Sequence, residues 1–353
     1  MIDPHVHLRD WSQKHKETVR HGIEIAWLAG LDGFFEMPNT DPALTSGDRI
    51  VERIDLASDA IRELKRKYPD FNFFHGLYVG ITADPVQIRE VLNLYDALFS
   101  WIIGAKTFFG HSTQNMGIIE EEEQRRVWQT FAEQEFRGIN AGHCEKESEL
   151  RPDLWNPAEP FTHTLARPPR AEVESVKDQI RFAEEAGYKG TFHVCHVSVP
   201  ETLEVIESAR KGIGFRITCG VTPHHALLYD KMMKSEKGLL LKMNPPLRPR
   251  EMQQYMLQAL LDGRVDWIET DHAPHTYHEK VTDCASGIPV LPFYPHFIRI
   301  LGERGMSEER LRALTHDNIA RTFGIEIKNT QRTPRYNLQG EYEFDAFKDA
   351  RQG

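Results

Sequence analysis

Six side chains in this sequence could together hold metal ions. They are His5, His7, Lys106, His143, His196 and Asp271. His5 and His7 stand two positions apart in a short apolar segment, and such positions on a strand point to the same face. Both imidazoles can therefore reach one metal ion. Imidazole and carboxylate groups suit zinc and similar metals, so the set indicates a metal centre.

Lys106 is the unusual member of this set, because an ammonium group repels cations. A buried lysine can lose its proton, however. The neutral amine can then take up carbon dioxide and form a carbamate, which bridges two metal ions as a carboxylate does. One such bridge and one hydroxide would hold the metals about 3.5–4 Å apart.

The elements that must position these residues alternate regularly along the chain. Short apolar runs predict eight strands, with helices between most of them and two more helices near 293–303 and 307–323. The predicted strands cover residues 2–8, 31–37, 71–80, 101–109, 138–143, 190–197, 214–221 and 264–270. Eight βα units over about 270 residues predict an α/β fold, a closed (β/α)8 TIM barrel. The six side chains fall at or near the carboxyl ends of strands, where such barrels carry their active sites.

Composition narrows the class of function. The net charge is −10, from 53 acidic and 43 basic residues, which argues against nucleic-acid binding. The four cysteines form no CxxC pair, so we expect neither a disulfide framework nor a thiolate zinc site, and a reducing compartment fits best. We see no signal peptide and no apolar run long enough to cross a membrane. These features predict a cytoplasmic protein with no nucleic-acid or membrane partner.

Several longer motifs point to one family. The first strand reads IDPHVHLRD over residues 2–10, and TDHAPHT at 270–276 is followed by ASGIP at 285–289. Between and after them stand CHVS, VTPHH, NPPLR and NIARTFG, which begin at Cys195, Val221, Asn244 and Asn318. With these motifs the chain resembles the dihydroorotases of the amidohydrolase superfamily, from residue 2 to about residue 324.

The resemblance implies a reaction and a set of roles. The reaction is the reversible, zinc-dependent hydrolysis of (S)-dihydroorotate to N-carbamoyl-L-aspartate, a step of de novo pyrimidine (UMP) biosynthesis. Two zinc ions per chain would be bridged by N6-carboxylated Lys106. His5, His7 and Asp271 would bind the first ion, and His143 and His196 the second. Asp271 would also be the catalytic acid and base. Substrate contacts would come from Arg9, Asn39, Asn244, His275 and the backbone around Ser286 and Gly287.

Arg9 carries the prediction of substrate. Dihydroorotate differs from hydantoin and dihydrouracil by a free carboxylate, and a guanidinium two residues beyond His7 lies on the same strand face. It can clamp that carboxylate with two charge-assisted hydrogen bonds.

The chain also departs from the family pattern. Arg-Asp-Pro-Gly of the family is Arg9-Asp10-Trp11-Ser12 here. The chain starts at the first barrel strand, so we expect the β-sandwich of many relatives to be absent or reduced. We expect residues 1–325 to form the barrel with its C-terminal helices. Residues 326–353 are predicted to form a tail that packs on the barrel or is partly disordered.

Two other functions stay open. The first is a sibling cyclic amidohydrolase, that is a dihydropyrimidinase, hydantoinase or allantoinase. The second is a catalytically silent, dihydroorotase-like partner of aspartate transcarbamoylase. A homodimer is the default assembly, with contact to aspartate transcarbamoylase as a further option. His224 and His225 lie near the predicted mouth, and we predict no direct metal contact for them.

Overall fold

The computed structural model of the chain describes residues 1–112, 116–348 and 350. Eight parallel strands pair in chain order, and a parallel bridge between Val6 and His272 joins the last to the first. The strands are β1 (Ile2–Val6), β2 (Gly33–Glu36), β3 (Phe74–Gly80), β4 (Ile102–Phe109), β5 (Ile139–Cys144), β6 (Thr191–Val194), β7 (Arg216–Val221) and β8 (Trp267–Ile268). The predicted (β/α)8 barrel is confirmed.

Helices connect the strands and cover the outside of the barrel. They are α1 (Val19–Leu28), α2 (Gly47–Lys67), α3 (Pro85–Ala97), α4 (Glu121–Glu133), α5 (Thr162–Ala166), α6 (Pro169–Glu185), α7 (Pro200–Ala209), α8 (Pro223–Leu227), α9 (Arg250–Asp262), α10 (Tyr277–Val281), α11 (Tyr294–Glu303), α12 (Glu308–Arg312) and α13 (Asn318–Phe323). A π-helical turn at Ala313–Asp317 joins α12 to α13. Within the described ranges, no helix is long and apolar enough to cross a membrane.

Local sequence explains where several helices begin and end. Asp84 accepts a hydrogen bond from the Val86 amide and Pro85 occupies the first turn, so α3 starts there. This helix has 13 residues. Gly263, with φ +81°, ends α9 in the left-handed conformation.

Two hydrophobic cores hold the barrel together. The larger core lies between the sheet and the surrounding helices. The smaller one fills the barrel interior, where Phe323 of α13 packs against Phe35, Tyr78 and Trp267. The C-terminal helix thus closes one end of the barrel interior.

Strand β8 is shorter than predicted, and at Thr270 the Asp3 side chain takes the place of a backbone partner. The sequence predicts a strand over 264–270, whereas the structure has Trp267–Ile268 alone. Asp3 of β1 accepts hydrogen bonds from the Thr270 amide at 3.0 Å and the Thr270 hydroxyl at 2.5 Å. This carboxylate joins the first and last strands and fixes the backbone next to Asp271.

A buried ion pair attaches α2 to the barrel. Arg53 of α2 donates to the carboxylate of Glu36 at the end of β2, and both side chains are fully buried. His75 of β3 lies 2.8 Å from the other Glu36 oxygen. Arg53 also donates to the Arg9 carbonyl at 2.7 Å, so the pair supports the loop that follows β1.

The C-terminal segment lies along the barrel. The Thr330 side chain donates to Asp32, the Tyr342 hydroxyl donates to Glu17, and Phe347 stacks on Phe293 at 4.0 Å. The described part of 326–353 therefore packs on the barrel, while residues 349 and 351–353 lie outside the described ranges. The division at residue 325 stays a prediction.

Candidate metal centre and active site

A cavity of about 410 Å³ opens at the carboxyl ends of the strands. All six residues predicted to bind metal line it, namely His5, His7, Lys106, His143, His196 and Asp271. So do most of the residues predicted to bind substrate, namely Arg9, Asn39, Asn244, Ser286 and Gly287. The structure thus brings together residues that are up to 282 positions apart, between His5 and Gly287.

One half of the centre comes from the two ends of the barrel sequence. His5 Nε2 lies 3.2 Å from His7 Nε2, and these atoms lie 3.3 and 2.8 Å from Asp271 Oδ1. Asp3 sets this geometry, because its Oδ1 accepts from the backbone of both His5 and Thr270. Two imidazoles and a carboxylate that converge in this way are a suitable ligand set for one divalent metal ion.

The other half lies on β5 and just after β6. His143 Nδ1 is 3.2 Å from His196 Nε2, so both nitrogens face one point. The second ring nitrogen of His143 lies 3.0 Å from Glu145 Oε2. Arg167 in turn donates to Glu145, with Nε at 3.1 and 3.0 Å from its two oxygens. Glu145 can therefore hold the tautomer of His143 that leaves Nδ1 free of a proton for a metal ion.

Two of these residues adopt a backbone conformation that ordinary residues avoid. His196 has φ +38° and Asp271 has φ +50°. Left-handed non-glycine residues cost about 1–3 kcal/mol each and persist where the surroundings impose them. The Glu269 carboxylate accepts a hydrogen bond from the His196 amide, and so helps to hold the left-handed conformation of His196.

The ionisation of three of the four histidines and of Asp271 suits metal binding, whereas His5 differs. Burial lowers the pKa of His5, but Cys195 and Glu269 outweigh it and raise that pKa to about 10. Burial lowers the pKa of His7 to about 4 and places the pKa of His143 and His196 below the usual range. Burial raises the pKa of Asp271, but His7, His5 and His224 outweigh it and lower that pKa. Neutral imidazoles and an ionised carboxylate are the forms that bind metals.

Lys106 lies among these imidazoles and is fully buried. Its amine donates to Cys195 Sγ at 3.1 Å and lies 5.0 Å from the centre of the Phe108 ring. It lines the cavity together with both histidine pairs, as a bridging carbamate requires. The residues present therefore fit a two-metal centre.

Arg9 faces the same cavity and is 4% exposed. Its Nε donates to the Pro274 carbonyl at 3.0 Å, and its Nη2 lies 3.3 Å from His275 Nε2. Burial lowers its pKa to about 10, which leaves the guanidinium charged near neutral pH. His275 does not line the cavity, because its ring sits behind Arg9 and 3.1 Å from the Ser286 carbonyl. Direct substrate contact by His275 stays a prediction.

Asn244 and Ser286 line the cavity and belong to a connected set of polar groups. Asn244 Oδ1 lies 3.0 Å from His163 Nε2 and accepts from Ser286 Oγ at 3.3 Å, while Lys242 Nζ donates to that same Oγ at 2.6 Å. Gly287 has φ +135°, and a Cβ there would lie 2.7 Å from the Ala273 carbonyl oxygen. Glycine is therefore needed for the chain to pass this close to the mouth.

Asn39 has a contact that the sequence did not predict. Its Oδ1 lies 2.5 Å from His7 Nδ1, so Asn39 also orients a predicted metal ligand.

The two histidines after β7 are both buried but differ in their contacts. His225 contacts the Thr222 hydroxyl at 2.9 Å and the Pro245 carbonyl at 3.2 Å. Neither ring nitrogen of His224 has a hydrogen-bond partner among the described residues. Burial lowers the pKa of His224 to about 4, and its ring packs 4.5 Å from that of His225. Neither lines the cavity.

The sequence analysis missed four residues that support the site: Asp3, Glu145, Cys195 and Glu269. Three of them stand two positions from a predicted ligand, the spacing that brings side chains of a strand to one face: Asp3 from His5, Glu145 from His143 and Glu269 from Asp271. Cys195, directly before His196, had no such pattern.

Comparison with known proteins agrees with the geometry. No protein-family model matches the chain. The dihydroorotase of Lactobacillus gasseri is 32% identical over 343 residues, which cover 92% of this chain and 73% of that protein. The dihydroorotase of Halobacterium salinarum is 31% identical over 334 residues, 93% of this chain and 72% of that protein. The chain belongs to the dihydroorotase family. The match to the Brevibacillus brevis dihydroorotase, at 33% identity, spans 83% of this chain but 63% of that protein.

Solved structures support the fold of this family member. An L-hydantoinase (dihydropyrimidinase) from Arthrobacter aurescens superposes with a TM-score of 0.77 at 23% identity, over 92% of this chain and 70% of that one. A dihydroorotase from Campylobacter jejuni gives 0.68 at 18% identity, over 93% and 84%. At these identities the likeness shows the shared amidohydrolase barrel alone.

Proposed function

We propose that the chain is a dihydroorotase, which interconverts (S)-dihydroorotate and N-carbamoyl-L-aspartate in pyrimidine biosynthesis. The observation that carries the proposal is that Arg9 lines the same cavity as the six residues of metal-binding type. A carboxylated ring placed there would have its carboxylate near a buried guanidinium and its amide near the ligand cluster. Hydantoin and dihydrouracil offer no carboxylate to this charge.

Two zinc ions are the proposed cofactors. His5, His7 and Asp271 would hold one, and the pair His143 and His196 the other, with N6-carboxylated Lys106 shared between them. When bound, the ions would lower the pKa of water towards neutral and polarise the ring amide carbonyl.

The side chains would then divide the remaining work. Arg9 would fix the substrate carboxylate, and Asn39, Asn244, His275 and the backbone at Ser286 and Gly287 would hold the ring. The Asp271 carboxylate would accept a proton from the attacking water and return it to the ring nitrogen that leaves. In the biosynthetic direction Asp271 would take the proton from the carbamoyl nitrogen as the ring closes.

Substitution of Arg9 tests the substrate. Arg9→Met should lower kcat/KM for dihydroorotate by ~100-fold or more, because it removes two charge-assisted hydrogen bonds. Hydrolysis of dihydrouracil and hydantoin should change far less. Arg9→Lys keeps the positive charge but lacks the planar guanidinium. Its kcat/KM for dihydroorotate should therefore lie between those of the wild type and Arg9→Met. An unchanged ratio of dihydroorotate to dihydrouracil turnover would mean that the cavity serves a sibling substrate.

Substitution of Asp271 tests the proton transfer. Asp271→Ala should lose ~100-fold or more in turnover. Metal content measured on the same sample separates loss of the acid–base group from loss of a ligand. A variant that binds two metals and turns over at the native rate would contradict the assignment.

The remaining expectations concern assembly and place in the cell. We propose a homodimer in the cytoplasm and, as a second assembly, a contact with aspartate transcarbamoylase. Sedimentation of the purified chain, alone and with that enzyme, tests both assemblies.

A further inference from the structure

Two lysine side chains contact the part of the cavity wall that Ser286 and Gly287 form. Lys242 Nζ donates to Ser286 Oγ at 2.6 Å. Lys280 Nζ donates to three carbonyls, that of Lys242 at 2.7 Å and those of Ala285 and Gly287 at 2.8 Å. We propose that Lys242 is a specificity-determining residue, which acts through the Ser286 hydroxyl to favour a ligand with a carboxylate. This inference rests on the proposed function and adds a second positive charge to the substrate site.

Neither lysine has a carboxylate partner among the described residues. The charged or titratable groups that face Lys242 are Arg167, His163, Lys280 and Cys284. Lys242 is partly buried, with its ammonium 5.3 Å from the centre of the Trp155 ring. A positive charge withdrawn from water without a counter-charge is costly, and a bound anion would reduce that cost. The charge of Lys242 therefore favours an anionic ligand at this wall.

Lys280 anchors this wall and has no donor left for a ligand. Its three carbonyl acceptors take all three N–H groups of an ammonium. They hold the backbone of Ala285 and Gly287 against that of Lys242, and the Gly287 amide also donates to the Lys242 carbonyl at 2.9 Å. Lys242 differs, because within residues 1–112, 116–348 and 350 its ammonium has one hydrogen-bond acceptor, Ser286 Oγ. The side chain of Lys242 is therefore the one that can respond to a ligand.

The Ser286 hydroxyl connects the charge of Lys242 to the cavity. Ser286 lines the cavity, and its hydroxyl donates to Asn244 Oδ1 at 3.3 Å, which is long for a hydrogen bond between oxygens. Asn244 Oδ1 also contacts His163 Nε2 at 3.0 Å, so it keeps a partner if the hydroxyl turns to a ligand. Because the ammonium donates to the hydroxyl oxygen, it polarises the O–H group and makes it a stronger donor.

Arg9 and Ser286 belong to the same end of the cavity. His275 Nε2 lies 3.3 Å from Arg9 Nη2 and 3.1 Å from the Ser286 carbonyl oxygen. A ring carboxylate held by the Arg9 guanidinium would therefore lie near the Ser286 hydroxyl. Both positive charges would then act on the same carboxylate of the substrate.

The ionisation of Lys242 gives this role a characteristic dependence on pH. Burial and the charge of Arg167 lower the pKa of Lys242 to about 8, against an opposite effect of Cys284. An ammonium is charged below its pKa. The contribution of Lys242 to anion binding should therefore be present at about pH 6.5 and lost by about pH 9.5.

Binding of orotate and uracil to the zinc-loaded full chain tests the proposal, because these rings differ by one carboxylate. Lys242→Gln keeps a hydrogen-bond donor for Ser286 and removes the charge. Compared with wild type at the same pH, it should bind orotate ~10-fold more weakly at about pH 6.5 and within ~2-fold at about pH 9.5. Uracil should bind equally to both proteins at either pH.

Three further variants serve as controls. Lys242→Arg keeps its charge in alkali, so it should match wild type at about pH 6.5 and bind orotate more tightly than wild type at about pH 9.5. Lys237→Gln removes an exposed lysine and should behave as wild type does. Cys284→Ser should keep the dependence on pH, because the titrating group is Lys242.

Two results would overturn the proposal. One is a Lys242→Gln variant that keeps the wild-type ratio of orotate to uracil affinity at about pH 6.5. The other is a loss of orotate affinity that is equal at both pH values, since that would reflect a structural defect and not a charge. If Lys242→Gln does not fold, Lys242→Arg decides, and a fall in orotate affinity in alkali parallel to that of wild type would refute the role of Lys242.

Dihydroorotate hydrolysis by the same samples separates this inference from the proposed function. Protein that binds orotate with the expected dependence on Lys242 but does not hydrolyse dihydroorotate would overturn the proposed function alone. Protein that hydrolyses dihydroorotate, with an unchanged affinity ratio in Lys242→Gln, would overturn the role of Lys242 alone.

Discussion

Glu145 offers a sharp test of how the second histidine pair is prepared for metal. Its carboxylate is fully buried between His143 Nε2, at 3.0 Å, and Arg167, which donates Nε and Nη2 to it. Glu145→Gln keeps the shape but has one acceptor oxygen and one NH₂ group. If the oxygen faces Arg167, the NH₂ faces His143 Nε2, and the proton of that ring must move to Nδ1. Nδ1 is the atom that faces His196, so it could no longer bind a metal.

The alternative orientation of the glutamine is also unfavourable. If its oxygen accepts from His143, its NH₂ group faces the guanidinium of Arg167, and a buried cation loses its counter-charge. Hydrogen bonds to charged groups contribute about 1.5–3 kcal/mol, and removal of a carboxylate that orients a metal-bound histidine costs 10–100-fold in metal affinity. We therefore expect Glu145→Gln to weaken the ion held by His143 and His196 by ~10–100-fold, with a fall in unfolding free energy of about 1–3 kcal/mol.

Zinc titration of metal-depleted protein with a competing chelator measures this effect. Glu145→Gln should give one site of native affinity and one weakened site. Glu149→Gln is the matched control, because Glu149 pairs with Arg170 at the surface, and it should bind as wild type does. Native affinity at both sites in Glu145→Gln would refute the reasoning, since the ring of His143 would then be oriented without the carboxylate.

Two further predictions concern the buried Arg53–Glu36 ion pair and Gly287 at the cavity. Arg53→Met should destabilise the chain by about 3–5 kcal/mol at neutral pH in denaturant unfolding, because it leaves Glu36 buried without its partner. Arg49→Met, on the exposed face of α2, should change little. Burial raises the pKa of Glu36, but Arg53 contributes most to an opposite effect that lowers it below 4.5. This stabilisation is therefore present above pH 4.5 and lost as the pH falls through the lowered pKa of Glu36. The difference in unfolding free energy between wild type and Arg53→Met should therefore become smaller in acid. Gly287→Ala should lower kcat/KM by ~10-fold or more, because its Cβ would meet the Ala273 carbonyl at 2.7 Å. Gly212→Ala, with no neighbour within 4 Å, should be neutral in the same assay.

The pattern of the sequence predicts most of the fold because the signals involved are local. Strand and helix periodicities, with proline and glycine at element ends, place all eight strands and the major helices to within a few residues. The prediction was least accurate at β8, where the structure has Trp267–Ile268 instead of 264–270. There the Asp3 side chain takes the place of a strand neighbour, and a hydrogen bond between residues 267 positions apart has no local signal.

For the candidate site, too, some features follow from the local sequence and others only from the tertiary structure. The sequence by itself determined the residue types and the strand ends on which they stand, because a closed barrel brings every strand end to one mouth. The six ligand-type residues could be named from that rule, and Arg9 from the family resemblance. The structure alone decided which groups support them: Glu145 against His143, Asn39 against His7, and His275 behind Arg9 instead of at the cavity wall. Only the packed strands fix such contacts, because side chains from different strands meet according to register and rotamer. Neither strand register nor side-chain rotamer can be predicted from the local sequence.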